Sequence, residues 1–181
     1  MPIGDATRPR YTEVPLPPYS YVPGHAPHPV SDPAGHMHGS HEPLPPALDP
    51  DQWAASEAYR LGVDLFNHGF YWEAHEAWEG LWRDPATQQL TSDWLKALIK
   101  LAAAAVKARE GNPRGVERHA RRAMELVDVV AGQLPGDATH YCGLSIALVE
   151  AIARGLVCEA SERFTSPQPE LLLASWLKLP K

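Results

Sequence analysis

A histidine and a glutamate four residues apart stand among large aromatics in Phe70-Tyr71-Trp72-Glu73-Ala74-His75-Glu76-Ala77-Trp78-Glu79-Gly80-Leu81-Trp82-Arg83. Neutral imidazole and carboxylate at i and i+4 of a helix can chelate one ion, and this donor pair suits Zn²⁺, Fe²⁺ or Mn²⁺. Two ligands do not complete a site, so a third must come from Glu76, from His119 or Glu117 further along, or from His28 or His36 near the N-terminus. Drawn at about 100° per residue, Tyr71, Trp72, His75, Trp78, Glu79 and Trp82 share one side of a helix, which predicts that this side faces a core. Glu76, one residue on from His75, is expected at the periphery, where it would serve as base for a bound water. Glu73 is the alternative base. Trp72, Trp78 and Trp82 would wall the pocket.

A non-chemical reading competes with this one. Glu79 would accept a hydrogen bond from His75, and the pair would fix the helix against its neighbours with the tryptophans as ordinary core. Burying two ionisable groups is costly unless they pair, hydrogen-bond or bind a metal, and both readings meet that requirement.

The elements that must position these residues are helices. Asp49-Pro50-Asp51-Gln52 reads as a helix start, with Asp49 as N-cap, Pro50 at the first helical position and Gln52 at the third. Ala54, Ala58, Leu61 and Leu65 follow at helical spacing, and Gly69 suits the position just past the end. The aromatic helix runs from about Phe70 to Asp84-Pro85. A third starts near Thr91 or Ser92 and ends at Gly111, with two adjacent apolar rows that predict a central place. Asn112-Pro113 caps a fourth, stopped by Pro135-Gly136. A fifth covers roughly Thr139 to Arg163, and a short terminal helix is expected between Ser166 and Leu179. The fold expected is an all-α multihelical bundle of about five helices plus that short one.

Residues 1–48 are of another kind. Thirteen of the nineteen prolines fall in the first fifty residues, along with five of the nine histidines: His25, His28, His36, His38 and His41. Such a segment is extended or looped, so the chain divides into an arm over 1–48 and a helical domain over 49–181. Tyr11, Val14, Leu16, Tyr19, Tyr21 and Val22 could anchor the arm along the bundle and bring His28 or His36 to the motif. The alternatives are a solvated tail, or an arm that wraps a second copy of the chain. Leu16-Pro17-Pro18-Tyr19 could also serve as a polyproline-type ligand for a protein partner.

The formal net charge of −6, with signs interleaved, argues against a nucleic-acid face or an anionic membrane surface. The apolar run from Leu95 to Ala108 is broken by three lysines, which predicts no membrane span. Met1 to Arg10 lacks the apolar core of a signal peptide, so the cytoplasm is expected. Cys142 and Cys158, sixteen residues apart, read as two reduced, buried residues of one helix, roughly 24 Å from each other. Phosphate loops, nucleophile elbows and dinucleotide turns are missing from the sequence, so no organic cofactor is indicated.

His75-x-x-x-Glu79-x-x-Trp82 resembles the signature of the bacterial and archaeal family known as domain of unknown function 309. Leu95 to Ala104 resembles that family's second helix, and Gly111-Asn112-Pro113-Arg114-Gly115 the turn after it; the resemblance covers about Ala58 to Leu134. It implies an all-helical fold of unestablished activity, in a family whose members have been labelled metal-dependent hydrolases, with His75 and Glu79 as the metal ligands and Trp82 as the third motif position. Lys100 stands where glutamine is expected and Lys107 where a histidine is often found, so a polar contact near the site is altered. The function expected is thus that of a soluble helical protein of unestablished chemistry with a metal site built on His75 and Glu79, for which metal-dependent hydrolysis of a small substrate is the enzymatic reading. The alternative is a non-enzymatic scaffold or protein-interaction module.

Overall fold

The computed structural model describes residues 8–40, 43–168 and 170–180. Among them are five helices: α1 Glu57–Asn67, α2 Tyr71–Trp82, α3 Gln89–Arg109, α4 Pro113–Ala131 and α5 Ile146–Arg163. The protein is all-α, with one two-residue hairpin, β1 His140–Tyr141 and β2 Leu144–Ser145. Helix α3 is the hub. It packs on α2, α4 and α5, while α1 lies on α2. The two apolar rows of α3 explain this, because Trp94, Leu95, Leu98, Leu101, Ala102 and Ala105 are all fully buried.

Capping follows the sequence where a side chain can reach. Asn112 accepts from the Gly115 N–H at 2.9 Å, with Pro113 opening α4. The first helix begins later than expected. Asp49-Pro50 leads into a single 3₁₀ turn, Trp53–Ala55, and the cap of α1 is Ser56, which accepts from the Tyr59 N–H. Gly69 takes φ +84° between α1 and α2, a left-handed conformation natural to glycine. Gly62 is required for a different reason: a Cβ there would lie 2.2 Å from Trp78 Nε1, so the two helices touch through that gap.

Three expectations are corrected. The fifth helix starts at Ile146, because His140 to Ser145 form a hairpin whose turn, Cys142-Gly143, has positive φ at both residues. Cys142 is therefore in the turn and buried, while Cys158 is in α5 and exposed; both are free. No terminal helix forms between 166 and 179 among the described residues. That segment instead lies irregularly against α1 and α2, with Leu171, Leu173, Leu177 and Leu179 buried.

The arm packs on the bundle. Asp64 of α1, fully buried, accepts from the Tyr11 N–H at 2.8 Å, the Thr12 N–H at 2.9 Å and the Thr12 hydroxyl at 2.7 Å, with Arg10 Nε 3.2 Å away. Asn67 bonds both ways with the Leu177 backbone, and Tyr71 accepts from the Leu173 N–H. Arg8 joins the two segments, donating to the carbonyls of Asn67 and Leu173. No helix among the described residues is long and apolar enough to cross a membrane.

Replacing Asp64 by Ala would strand the Tyr11 and Thr12 donors. We expect a loss on the order of 2–4 kcal/mol in urea denaturation, together with faster proteolysis between residues 8 and 48. An unchanged midpoint and an equally resistant arm would refute the anchoring role.

Candidate metal centre and the arm-covered face of α2

The faces of α2 differ from the sequence expectation. Tyr71, Ala74, Trp78 and Leu81 are fully buried and mark the stripe that meets α1 and α3. His75 and Glu79 lie at the edge of that stripe, with side chains 26 % and 22 % exposed. Trp82, at the end of the helix where the core runs out, is 36 % exposed and lies under the Lys96 ammonium. Trp78 is no pocket wall: it donates to the Tyr59 carbonyl and packs on Phe66 inside the core. Trp72 is partly buried against Tyr21 and His28 of the arm.

His75, Glu76 and Glu79 each offer a donor atom, and the three atoms lie within 4.8 Å of one another. Glu76 is thus part of the group and not peripheral, because i and i+1 side chains of this length can reach back over the same turn. His75 Nε2 and Glu79 Oε2 are 4.0 Å apart, too far for a hydrogen bond. Around a tetrahedral ion with ~2.1 Å bonds, donors sit ~3.4 Å apart, so small rotamer changes suffice to close the set. The group can hold a metal ion, and its partial exposure leaves room for other ligands.

Cations already surround it. Arg83 Nη2 lies 3.1 Å from Glu79 Oε2. Burial lowers the His75 pKa, Glu79 opposes that, and Lys100 and Arg83 reinforce it, so His75 is held neutral, the form that binds metal. Glu76 is shifted upward by burial and by Glu79. His119 is pushed down to about 4 by burial, then by Arg118 and by Lys100. It lies outside the three-donor group, beside Arg118 Nη2 at 3.3 Å. Glu117 is likewise outside the group. Lys107 is used elsewhere, in an ion pair with Glu110.

The arm histidines do not join the group. His28 packs on Trp72, and its Nδ1 accepts from the Val30 and Ser31 N–H groups, which leaves the ring proton on Nε2. His36 packs edge-on against Tyr19, and its shielded ring nitrogens have no hydrogen-bond partner. His41 lies outside the described residues. The sequence offers Glu73 only as the alternative base and does not anticipate its burial. It lies opposite the buried stripe, yet it is only 5 % exposed because the arm covers it. Its Oε1 accepts from the Tyr21 N–H at 2.8 Å, and burial lifts its pKa to about 7 against the pull of that bond and of Arg109.

Residues 59–119 match the family described as a domain of unknown function (DUF309). The DUF309 segment runs from Tyr59 in α1 to His119 in α4, so it contains the whole three-donor group and Lys100, while the arm that covers α2 lies outside it. No curated protein and no solved structure matches the chain.

Because the Glu73 carboxyl is raised in the folded state, folding binds a proton between pH 4.5, its ordinary value, and about 7. Its ionisation therefore makes stability fall as pH rises through that window and level off above it, a change on the order of 3 kcal/mol. Glu73→Gln should flatten this part of the stability–pH curve measured by urea denaturation. A variant curve with the parent's slope would contradict the assignment.

Proposed function

We propose that the protein binds a divalent cation through His75, Glu76 and Glu79, and that its activity is hydrolysis of a small substrate at that ion. The observation that carries this reading is the convergence of three donors within 4.8 Å on one partly exposed helix edge. The residues fit the group: a histidine held neutral and two carboxylates form the donor set of Zn²⁺, Fe²⁺ or Mn²⁺ sites. Such an ion would supply an acidified water. The chain's own part is to hold the three donors on one rigid helix and to leave the outer side open. Arg83 balances Glu79 when the ion is absent.

One observation favours a second reading, in which the group is an internal ion-pair network of a non-enzymatic scaffold. Arg83 already sits on Glu79, and the charge of Lys100 acts on both His75 and His119. Fixed cations of this kind oppose a further one. The form of the network differs from the buried hydrogen-bonded pair that the sequence suggested, since His75 and Glu79 do not bond and neither is fully buried.

Titration calorimetry with Zn²⁺ and Mn²⁺ on untagged protein separates the two. The metal reading expects one site per chain, at least tenfold weaker in His75→Ala and in Glu79→Ala, and several-fold tighter in Arg83→Ala, where the competing charge is gone. The scaffold reading expects no saturable site in the parent. It also expects Arg83→Ala to lower stability by only about 0.5 kcal/mol, since this pair is largely exposed.

A further inference from the structure

Helices α2, α3 and α4 follow one another through short connections, so each runs antiparallel to the last, with α3 packed against both of the others. From Trp94 to Arg109, only Lys96, Lys100, Ala103 and Lys107 of α3 are not buried. Their spacing makes one narrow strip along the helix, lysine at three of its four positions. Two contacts fix its level. Lys96 Nζ lies 5.7 Å from the Trp82 ring centre on α2, and a Cβ added to Gly115 of α4 would lie 2.8 Å from Lys107 Cγ. Running in from these contacts, Glu79 comes level with Lys100, and His75 and His119 come level with Ala103, less than a turn further on.

Most cations here are committed. Arg83 pairs with Glu79, Lys96 with Asp93 and Lys107 with Glu110. Lys100 differs: half-buried, it has no hydrogen-bond or ion-pair partner among the described residues. Glu79, the carboxylate at its level, is taken by Arg83. A partly desolvated ammonium without an acceptor is costly, and an anionic oxygen is its natural partner. On α4, Arg118 likewise has no carboxylate partner among the described residues; its Nη2 lies against His119 Nε2 at 3.3 Å. Burial lowers the pKa of His75 and of His119, and Lys100 adds to the lowering at both, so its charge is within reach of both rings. Two uncompensated positive charges on adjacent helices match a dianion better than a single negative charge.

We infer that this surface seats the phosphoryl group of a small phosphomonoester, with Lys100 as the central donor, Arg118 as the second charge from α4, and the three-donor group of α2 beside it. The inference rests on the metal reading for the ligand's role as substrate. The seat itself is made of the chain's own cations and needs no ion. Fixed cations that oppose a bare metal ion favour one that arrives with a phosphate, so anion and metal should strengthen each other.

The test is calorimetry of the full chain at pH 8 and low salt with phenylphosphonate, whose P–C bond resists hydrolysis, and benzoate as the singly charged comparison. Protein stripped of metal on a chelating resin should bind the phosphonate at least fivefold tighter than benzoate, and added Mn²⁺ should tighten the phosphonate at least tenfold. Lys100→Met should weaken the phosphonate at least tenfold in both forms, with the parent's urea midpoint showing that the variant is folded. Arg118→Gln should weaken it several-fold. No phosphonate binding, equal binding of benzoate, affinity that survives Lys100→Met, or Mn²⁺ that binds without tightening the phosphonate overturns the proposal. A parent with no saturable Mn²⁺ site that still takes the phosphonate through Lys100 supports the seat and sinks the metal reading alone.

Discussion

Main-chain N–H groups of the Pro-rich arm end on two carboxylates, Asp64 and Glu73, that project from the outer sides of α1 and α2. An arm so rich in proline has few partners for those donors within itself, and burying them unmet would cost more than the arm's apolar anchors return. The carboxylates solve this by acting as fixed acceptors. Arg109 completes the clamp from the end of α3: it donates to the Gly69 carbonyl and to the Ser20 hydroxyl, so the α1–α2 connection, the arm and the hub helix meet at one point. Everything on the outer face of α2 depends on this docking, including the burial of Glu73.

The two faces of α2 thus carry different chemistry. Towards α3, the His75 edge combines burial with charge. Glu79 is shared between His75 and Arg83; burial lowers the pKa of His75 and of His119, and Lys100 adds to the lowering at both. Towards the arm, the Glu73 edge is governed by desolvation, which raises the carboxyl more than its hydrogen bond and Arg109 lower it. Glu76 and Arg83 are common to both: Glu76 belongs to the three-donor group and Arg83 pairs with Glu79, and both line the space between α2 and the arm.

Much of this was legible in the residues. The 3.6-residue recurrence of apolar positions gives five helices and the central rank of α3, and Asn112-Pro113 fixes the start of α4. The errors have local causes. A hairpin with two-residue strands and a Cys-Gly turn leaves almost no alternation to read, so it was absorbed into α5. The leucines at 171, 173, 177 and 179 suggest a helix, but the segment is held instead by Asn67 and Tyr71, partners about a hundred residues earlier. Glu76 was expected at the periphery because ideal helix angles ignore the reach of a glutamate side chain.

What the sequence determined by itself is the periodic and the adjacent: the five main helices and the four-residue spacing that sets His75 beside Glu79. These follow from backbone geometry acting over a few residues. The tertiary structure alone decided which side of α2 is covered. By its own periodicity, Glu73 faces water. It is buried only because Tyr21, fifty-two residues earlier, brings the arm over it, and no local pattern encodes a contact made by an irregular segment at that distance.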